Sequence, residues 1–436
     1  MMENISSIFK TVPPEWEWVK LGNIFQKISM RVKDFNPTEY AIPILSMTRK
    51  RGLVLQSEKF DKRVASKDLS NYKIVRRGQL VYGFPIDEGV ISIQSRYDIG
   101  AVSPAYQVWN PMREFDDVFM DYFLKTPQMV NIYKYYSSNV VERRRNLSPR
   151  DFVCIRIPLP PLPEQRAIAN VLTTVRKSIE ATESVIAATR ELKCSMMKYL
   201  FTYGTVPIDQ LGNVILKKTD LGEIPEYWDE MKIGELAYIT KLAGYEYSKY
   251  ITYIDNGEMI ALRALNMKEG KLELSNIKLI SKKISDLLPR SKLHCGDIVM
   301  SYVGTVGELA IIDKNDTYHL APNVAKMTII DSEKVNNLFL VYYLMSPKGK
   351  RELTSHVSKT SQPVISMNQI RNLKALLPDI SEQKQIALYL KGIDEKIAIE
   401  VKRKSSLESL FTSMLVNLME GKIRIPHEIV EPFKGE

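Results

Sequence analysis

Two stretches of the chain place apolar residues at alternating intervals of four and three. The first runs through Ile168, Leu172, Val175, Ile179, Ile186, Met196 and Leu200, with Thr182, Thr189 and Lys193 filling the gaps. The second runs through Ile386, Leu390, Ile393, Ile397, Leu407, Phe411, Met414 and Leu418, with Glu400 and Lys404 in the seam. This spacing predicts two heptad helices of about 38 residues, each about 57 Å long at a rise of about 1.5 Å per residue. Pro163 fits a first helical turn, Ser381 fits an N-cap, and Gly204 and Gly421 stand where the helices should end. A long helix with one narrow apolar seam needs a partner, so an antiparallel coiled coil between the two is expected. Its polar seam positions would fix register or face a further helix.

Before each helix the texture differs. Short β-branched runs such as IPILSM, GQLVYG and GVISIQ, and later DIVMSYVG, ELAIID and AKMTII, alternate with Gly, Pro, Asn and Asp. These are strand and turn signals, joined by short helical pieces such as FMDYFLKTPQMVNIYKYY.

The two halves are copies. Pro13, Trp16, Val19, Lys20, Leu21 and Gly22 line up with Pro225, Trp228, Met231, Lys232, Ile233 and Gly234; Gly52 with Gly270, Gly78 with Gly296, and PLPEQRAIANVL with DISEQKQIALYL. A unit of about 200 residues is therefore duplicated, which is not a short solenoid repeat. The fold class expected is α+β. Two mixed recognition domains (1–161 and 205–380, the latter including a linker) alternate with long helices at 162–204 and 381–421, and a tail spans 422–436. After the helices, Thr205-Val206-Pro207 resembles Arg424-Ile425-Pro426, so the tail should pack beside the first domain as the linker enters the second.

Composition adds one thing to this picture. A net charge of +10 makes a polyanionic partner plausible. Three cysteines, odd in number and far apart, suggest a reducing cytoplasm rather than a disulfide framework, and no signal peptide or membrane span is evident. Two similar heads on a rod could read two DNA half-sites about one helical turn (~34 Å) or more apart. Shared frames with divergent polar loops suit two different half-sites.

The proline-rich strand ends before PLPEQRAIANVL and DISEQKQIALYL, the long helix after each, and the P-x-x-W entry before each domain resemble the specificity subunit of type I restriction–modification systems. The resemblance covers essentially the whole chain in the family's order. It implies sequence-specific binding of a bipartite, asymmetric DNA site and no catalysis in this chain. It further implies docking of two copies of an adenine methyltransferase that binds S-adenosylmethionine, and joining by motor-nuclease restriction subunits.

Within the heads, candidate DNA contacts are the basic run Arg49, Lys50 and Arg51, and Arg143, Arg144, Arg145 and Asn146, opposite Lys359, Thr360 and Gln362 in the second copy. These side chains donate to base edges or phosphates. Tyr82, Tyr245, Tyr247, Ser301 and Tyr302 are further candidates for bases or sugars, against the alternative of buried strand positions. Glu164, Gln165, Glu382 and Gln383, at the helix starts, are expected either to contact the methyltransferases or to cap the helices.

Two rival readings remain. A nuclease would use Glu269-Gly270-Lys271 with Asp255, though the first copy has Arg51-Gly52-Leu53 there; a tandem protein-binding scaffold would bind without regard to DNA sequence. No glycine-rich cofactor loop, methyltransferase motif or metal-ligand spacing is found in the sequence.

Overall fold

The computed structural model describes residues 9, 12–35, 42–49, 51–62, 64–137, 147–358 and 361–435. It divides into two compact units: Met1–Glu183 with Arg403–Glu436, and Ser184–Lys402. Each unit thus holds one globular head together with part of each long helix. Those helices are Leu162–Tyr203 and Ile380–Met419.

In the first unit, strands Phe25–Ile28, Gln107–Pro111, Leu80–Tyr82 and Ile91–Ile93 lie side by side in that order, all antiparallel. The middle strand is buried on both faces. Leu80 and Tyr82 enter the larger core with Trp109 and Phe152, while Val81 enters a smaller one with Leu45, Leu53 and Val75, as the two-residue period of a strand requires. The entry strand Glu17–Lys20 pairs antiparallel with the exit strand Arg156–Leu159, closing the head just before the long helix.

The second unit repeats this plan. Strands Ala237–Lys241, Val324–Ile329, Ile298–Ser301 and Leu309–Ile311 form the corresponding sheet. Ile298 and Met300 face one core and Val299 the other. Asp229–Lys232 pairs with Lys374–Leu377 to close the head. A three-stranded sheet, Leu279–Ile280, Met259–Leu262 and Tyr318–Leu320, flanks the four-stranded one, and its parallel pairing has a counterpart in the first head, where Ile44 bridges Ala101 in parallel.

One glycine pair in the shared frame has a clear steric cause. A Cβ on Gly22 would lie 2.8 Å from the Val153 Cβ and 3.0 Å from its carbonyl oxygen; on Gly234 it would lie 3.0 Å from the Arg371 Cβ. The short helices Leu21–Ile24 and Ile233–Leu236 therefore press directly on the backbone before each exit strand. Gly22→Ala is expected to cost about 1–3 kcal/mol by overpacking, measured as a shift in the urea midpoint; an unchanged midpoint would show that the contact yields freely.

The helices pair antiparallel within each unit. In the first, Glu183 bonds Lys404 at 2.7 Å and the Arg176 guanidinium lies 5.9 Å from the Phe411 ring centre. Seven residues back along one helix is seven forward along the other. In the second, Lys193 bonds Asp394 at 2.6 Å and the Thr205 amide bonds Glu382 at 2.9 Å, the same antiparallel course. The expected seam is buried at Ile168, Leu172, Ile179, Ile186 and Leu200 and at Ile386, Leu390 and Leu418, and half-buried at Val175, Ile393, Ile397, Phe411 and Met414. Its polar members are satisfied within the pair: Lys193 by Asp394, Lys404 by Glu183, Glu400 by Lys396, and Thr182 by the Ser178 carbonyl. The N-cap of the second helix is one correction. Asp379, not Ser381, accepts the amide of Glu382 at 3.0 Å, and Ser381 lies inside the helix. Gly204 and Gly421 end the helices with φ of +71° and +68°, the left-handed turn that glycine adopts without strain.

Candidate nucleic-acid interface

The repeated Glu-Gln pair is internal to the fold. Gln165 donates to the Pro160 carbonyl at 2.9 Å and accepts the Asp116 amide at 3.0 Å; Gln383 donates to the Pro378 carbonyl at 2.9 Å and accepts the Asn336 amide at 2.9 Å. Each glutamine therefore staples the end of the exit strand to the N-cap of a helix in its own head. Glu164 accepts the Trp16 indole at 3.1 Å and Arg424 from the tail at 2.9 and 3.1 Å. Glu382 accepts the Thr205 amide and, at 3.2 Å, the Tyr227 hydroxyl. Arg424 and Thr205 are the matching positions after the two helices, so each glutamate locks the residue that leaves the opposite helix. The tail packs beside the first head as the linker enters the second.

All four of these side chains are buried. The expectation that they meet a methyltransferase is corrected by that burial; nor do they cap the long helices, since their bonds run to the indole, guanidinium, hydroxyl, amide and carbonyl groups of other segments. Sequence could not separate the two roles, because a helix start offers amides to a glutamate whether or not a partner is present.

The outward loops are organised by the same frame. In the first head the turn between Leu45–Thr48 and Gly52–Leu55 lies against the turn after Leu80–Tyr82. A Cβ on Gly89 would touch Arg49, and one on Gly52 would touch Ser92. Arg49 and Arg51 are exposed on this edge, Arg51 paired with Glu58 at 3.3 Å. In the second head the turn Lys268–Lys271 lies against the strand Leu309–Ile311 in the same way, through Gly270 and Ala310 and through the Glu269 amide to Glu308. Tyr302 is half-buried there, 5.2 Å from the Lys241 ammonium, and its carbonyl accepts the amide of Ile365. Gly304 donates to the Pro363 carbonyl, so the loop carrying the exposed Gln362 is tied to the Tyr302 turn.

The family described as the type I restriction modification DNA specificity domain matches residues 13–188 and 225–409. The MjaVIII specificity subunit of Methanocaldococcus jannaschii is 30% identical over 314 residues, 71% of each chain. The EcoBI specificity subunit of Escherichia coli is 24% identical, covering 64% of this chain and 60% of its own. The chain belongs to this family. Fold similarity extends to the S subunit from M. genitalium, with a TM-score of 0.54 at 16% identity over 94% of this chain and 96% of that one. It extends also to a chain of a solved type I restriction–modification assembly, with a TM-score of 0.57 at 18% identity over 95% and 100% of the respective chains.

In this specificity subunit the remaining sequence candidates separate by burial. Tyr82 is fully buried, its hydroxyl 3.3 Å from the Leu147 carbonyl, and burial raises its phenol well above the ordinary range. Ser301 is fully buried too and donates to the Thr305 carbonyl. Neither reaches a base, and both expectations are corrected: their strand faces the core. Tyr247 is half-buried against the second head's smaller core and bonds Tyr253, whose phenol burial and Tyr247 together push up to about 12. Tyr245 is 70% exposed on the helix Gly244–Tyr250. Lys50, Arg143, Arg144, Arg145, Asn146, Lys359 and Thr360 lie outside the described residues.

The sequence reading missed Phe84. The sheets align Tyr82 with Met300, because Leu80 pairs with Trp109 where Ile298 pairs with Met327. Phe84 is therefore the first head's counterpart of Tyr302, and it is 41% exposed. An aromatic residue just beyond a buried strand in both copies was the available signal. The nuclease match dissolves into turn chemistry: Glu269 and Gly270 have φ of +51° and +84°, the two left-handed positions of a tight hairpin between Lys268 and Lys271. Among the described residues no group of three His, Cys, Asp or Glu is placed to hold a metal ion, and no helix is long and apolar enough to cross a membrane.

Proposed function

We propose that this specificity subunit reads a two-part DNA sequence, one part with each unit, for an adenine methyltransferase, and performs no bond chemistry itself. The observation that carries the reading is the pair of matched edges. On one frame the first head presents Arg49, Arg51 and Phe84, and the second presents Lys268, Lys271, Tyr302 and Gln362. Cations bind phosphates, and guanidinium and amide groups also read base edges; aromatic rings stack on bases and sugars. Different side chains on the same frame give different half-sites.

S-adenosylmethionine belongs to the methyltransferase in this reading, and two copies of that subunit match the two matched units. Leu192, Leu388, Tyr389 and Ile399 of the second unit are exposed on the long helices away from their seam, apolar positions that such a partner could cover. Motor-nuclease restriction subunits complete the assembly.

The test is to co-express the chain with its neighbouring methyltransferase and map adenine methylation by single-molecule sequencing. One gapped motif, methylated only when this chain is present, is expected. Affinity for that duplex should fall steeply with salt, as released counterions require. Association with the methyltransferase but no motif, together with salt-insensitive binding, would favour the scaffold reading instead. Arg49→Ala with Arg51→Ala is expected to weaken binding by about 1–3 kcal/mol and to relax only one half of the motif.

A further inference from the structure

The second unit contains a cluster of cations that its fold does not need. The helix Pro347–His356 carries Lys348 and Arg351, three residues apart and so on one face. With Lys198 of the first long helix they line a cavity of about 150 Å³, floored by Met197, Phe201 and Leu221. Like charges at this spacing destabilise a helix. Among the described residues neither Lys198 nor Arg351 has a carboxylate within ion-pair distance. Lys348 is half-buried and gives one of its three donors to the Glu223 carbonyl oxygen.

The duplication supplies the control. The first unit builds the corresponding helix, Pro127–Tyr136, with the same cap: Thr126 there, Ser346 here. At the positions of Lys348 and Arg351 it carries Gln128 and Asn131, and at that of Lys198 it carries Val416. The same packing therefore forms with no charge at any of the three places. The start of a ten-residue helix adds further positive potential.

We propose that this cavity is a site for a phosphate-class oxyanion held by Lys198, Lys348 and Arg351. Three cations offset by the nearby Glu223 leave two positive charges, which a doubly charged tetrahedral oxyanion balances and a single carboxylate does not. A guanidinium beside ammonium groups is suited to several oxygens at once. Burial, and secondly the charge of Arg351, push the Lys348 amine down to about 8 when the cavity is empty. A bound dianion would restore its proton.

The phosphoryl group has two possible sources, a free phosphorylated small molecule or the DNA backbone, and the experiment separates them. Inorganic phosphate titrated calorimetrically into the full chain is expected to fill one saturable site. K348Q/R351N installs the first unit's residues, so it should fold normally; it is expected to weaken phosphate about tenfold or more. K350Q, an exposed neighbour, should leave the affinity unchanged. Sulfate, which keeps its charge, should bind more weakly as pH rises from about 7 to about 9, and K348Q should remove that dependence. The complex with methyltransferase is then titrated with duplex. A salt slope reduced by about one to two in K348Q/R351N identifies backbone phosphate as the occupant; an unchanged slope with phosphate binding lost identifies a free phosphorylated molecule. If phosphate affinity and duplex slope are both the same in wild type and K348Q/R351N, the proposal is overturned.

Discussion

Glu164→Ala is expected to destabilise the first unit by about 3 kcal/mol, the largest loss for any single truncation near the helix starts. The buried carboxylate accepts three hydrogen bonds, one from the Trp16 indole and two from Arg424. Its removal leaves the indole nitrogen inside the fold without an acceptor. It also releases Arg424, which among the described residues then keeps only Glu15 at 2.9 Å. Arg424 is partly exposed and can rehydrate, so the full cost of orphaning a buried ion is not reached. Glu382→Ala should cost less, about 2 kcal/mol, because its partners are uncharged: the Thr205 amide and the Tyr227 hydroxyl. The measurement is urea denaturation of each variant beside Arg424→Ala. A Glu164→Ala loss no greater than that of an exposed glutamate would show that the lock contributes nothing. Proteolysis of the tail should accelerate in Glu164→Ala and Arg424→Ala alike, since both untie the same residue.

Asp394→Leu is expected to cost the second unit about 3 kcal/mol, and Lys193→Leu/Asp394→Leu to recover most of it. Asp394 receives the Lys193 ammonium at 2.6 Å and the Tyr342 hydroxyl at 2.7 Å, with the Lys193 and Asp394 side chains 13% and 12% exposed. Burial and the Asp394 carboxylate together raise the Tyr342 phenol well above its ordinary range, so it stays a donor throughout the working pH range. Removing the carboxylate alone leaves an ammonium and a hydroxyl in a site closed to water. Removing both charges leaves an apolar layer. The first unit shows that the coil also forms at the matching layer without an ion pair between the two helices. At the positions of Lys193, Asp394 and Tyr342 it carries Phe411, Arg176 and Tyr122, with Phe411 edge-on to Tyr122 at 5.6 Å and Arg176 over its ring. A double variant no more stable than Asp394→Leu would contradict this account. The ion pair would then be supplying stability rather than register.

Sequence alone determined the duplication, the two heads, the long helices and the seam, because heptad spacing and repeated glycine positions are local or one-dimensional signals. It also determined the pseudo-symmetric tail, since Arg424 and Thr205 occupy matching places after the helices. Only the tertiary structure decided what Glu164, Gln165, Glu382 and Gln383 do. Their acceptors and donors are amides and side chains from distant parts of the chain, and nothing in a helix start distinguishes an internal staple from an external contact. The same limit governed Tyr82, Ser301 and Phe84: their strands are buried on both faces, so an aromatic side chain reaches the edge only beyond the strand's end. Which residues are equivalent in the two heads is fixed by pairing across the sheet, Leu80 with Trp109 and Ile298 with Met327. The cations around the small cavity were equally illegible, because Lys198 and Lys348 are 150 positions apart in the chain and only folding brings them to one wall.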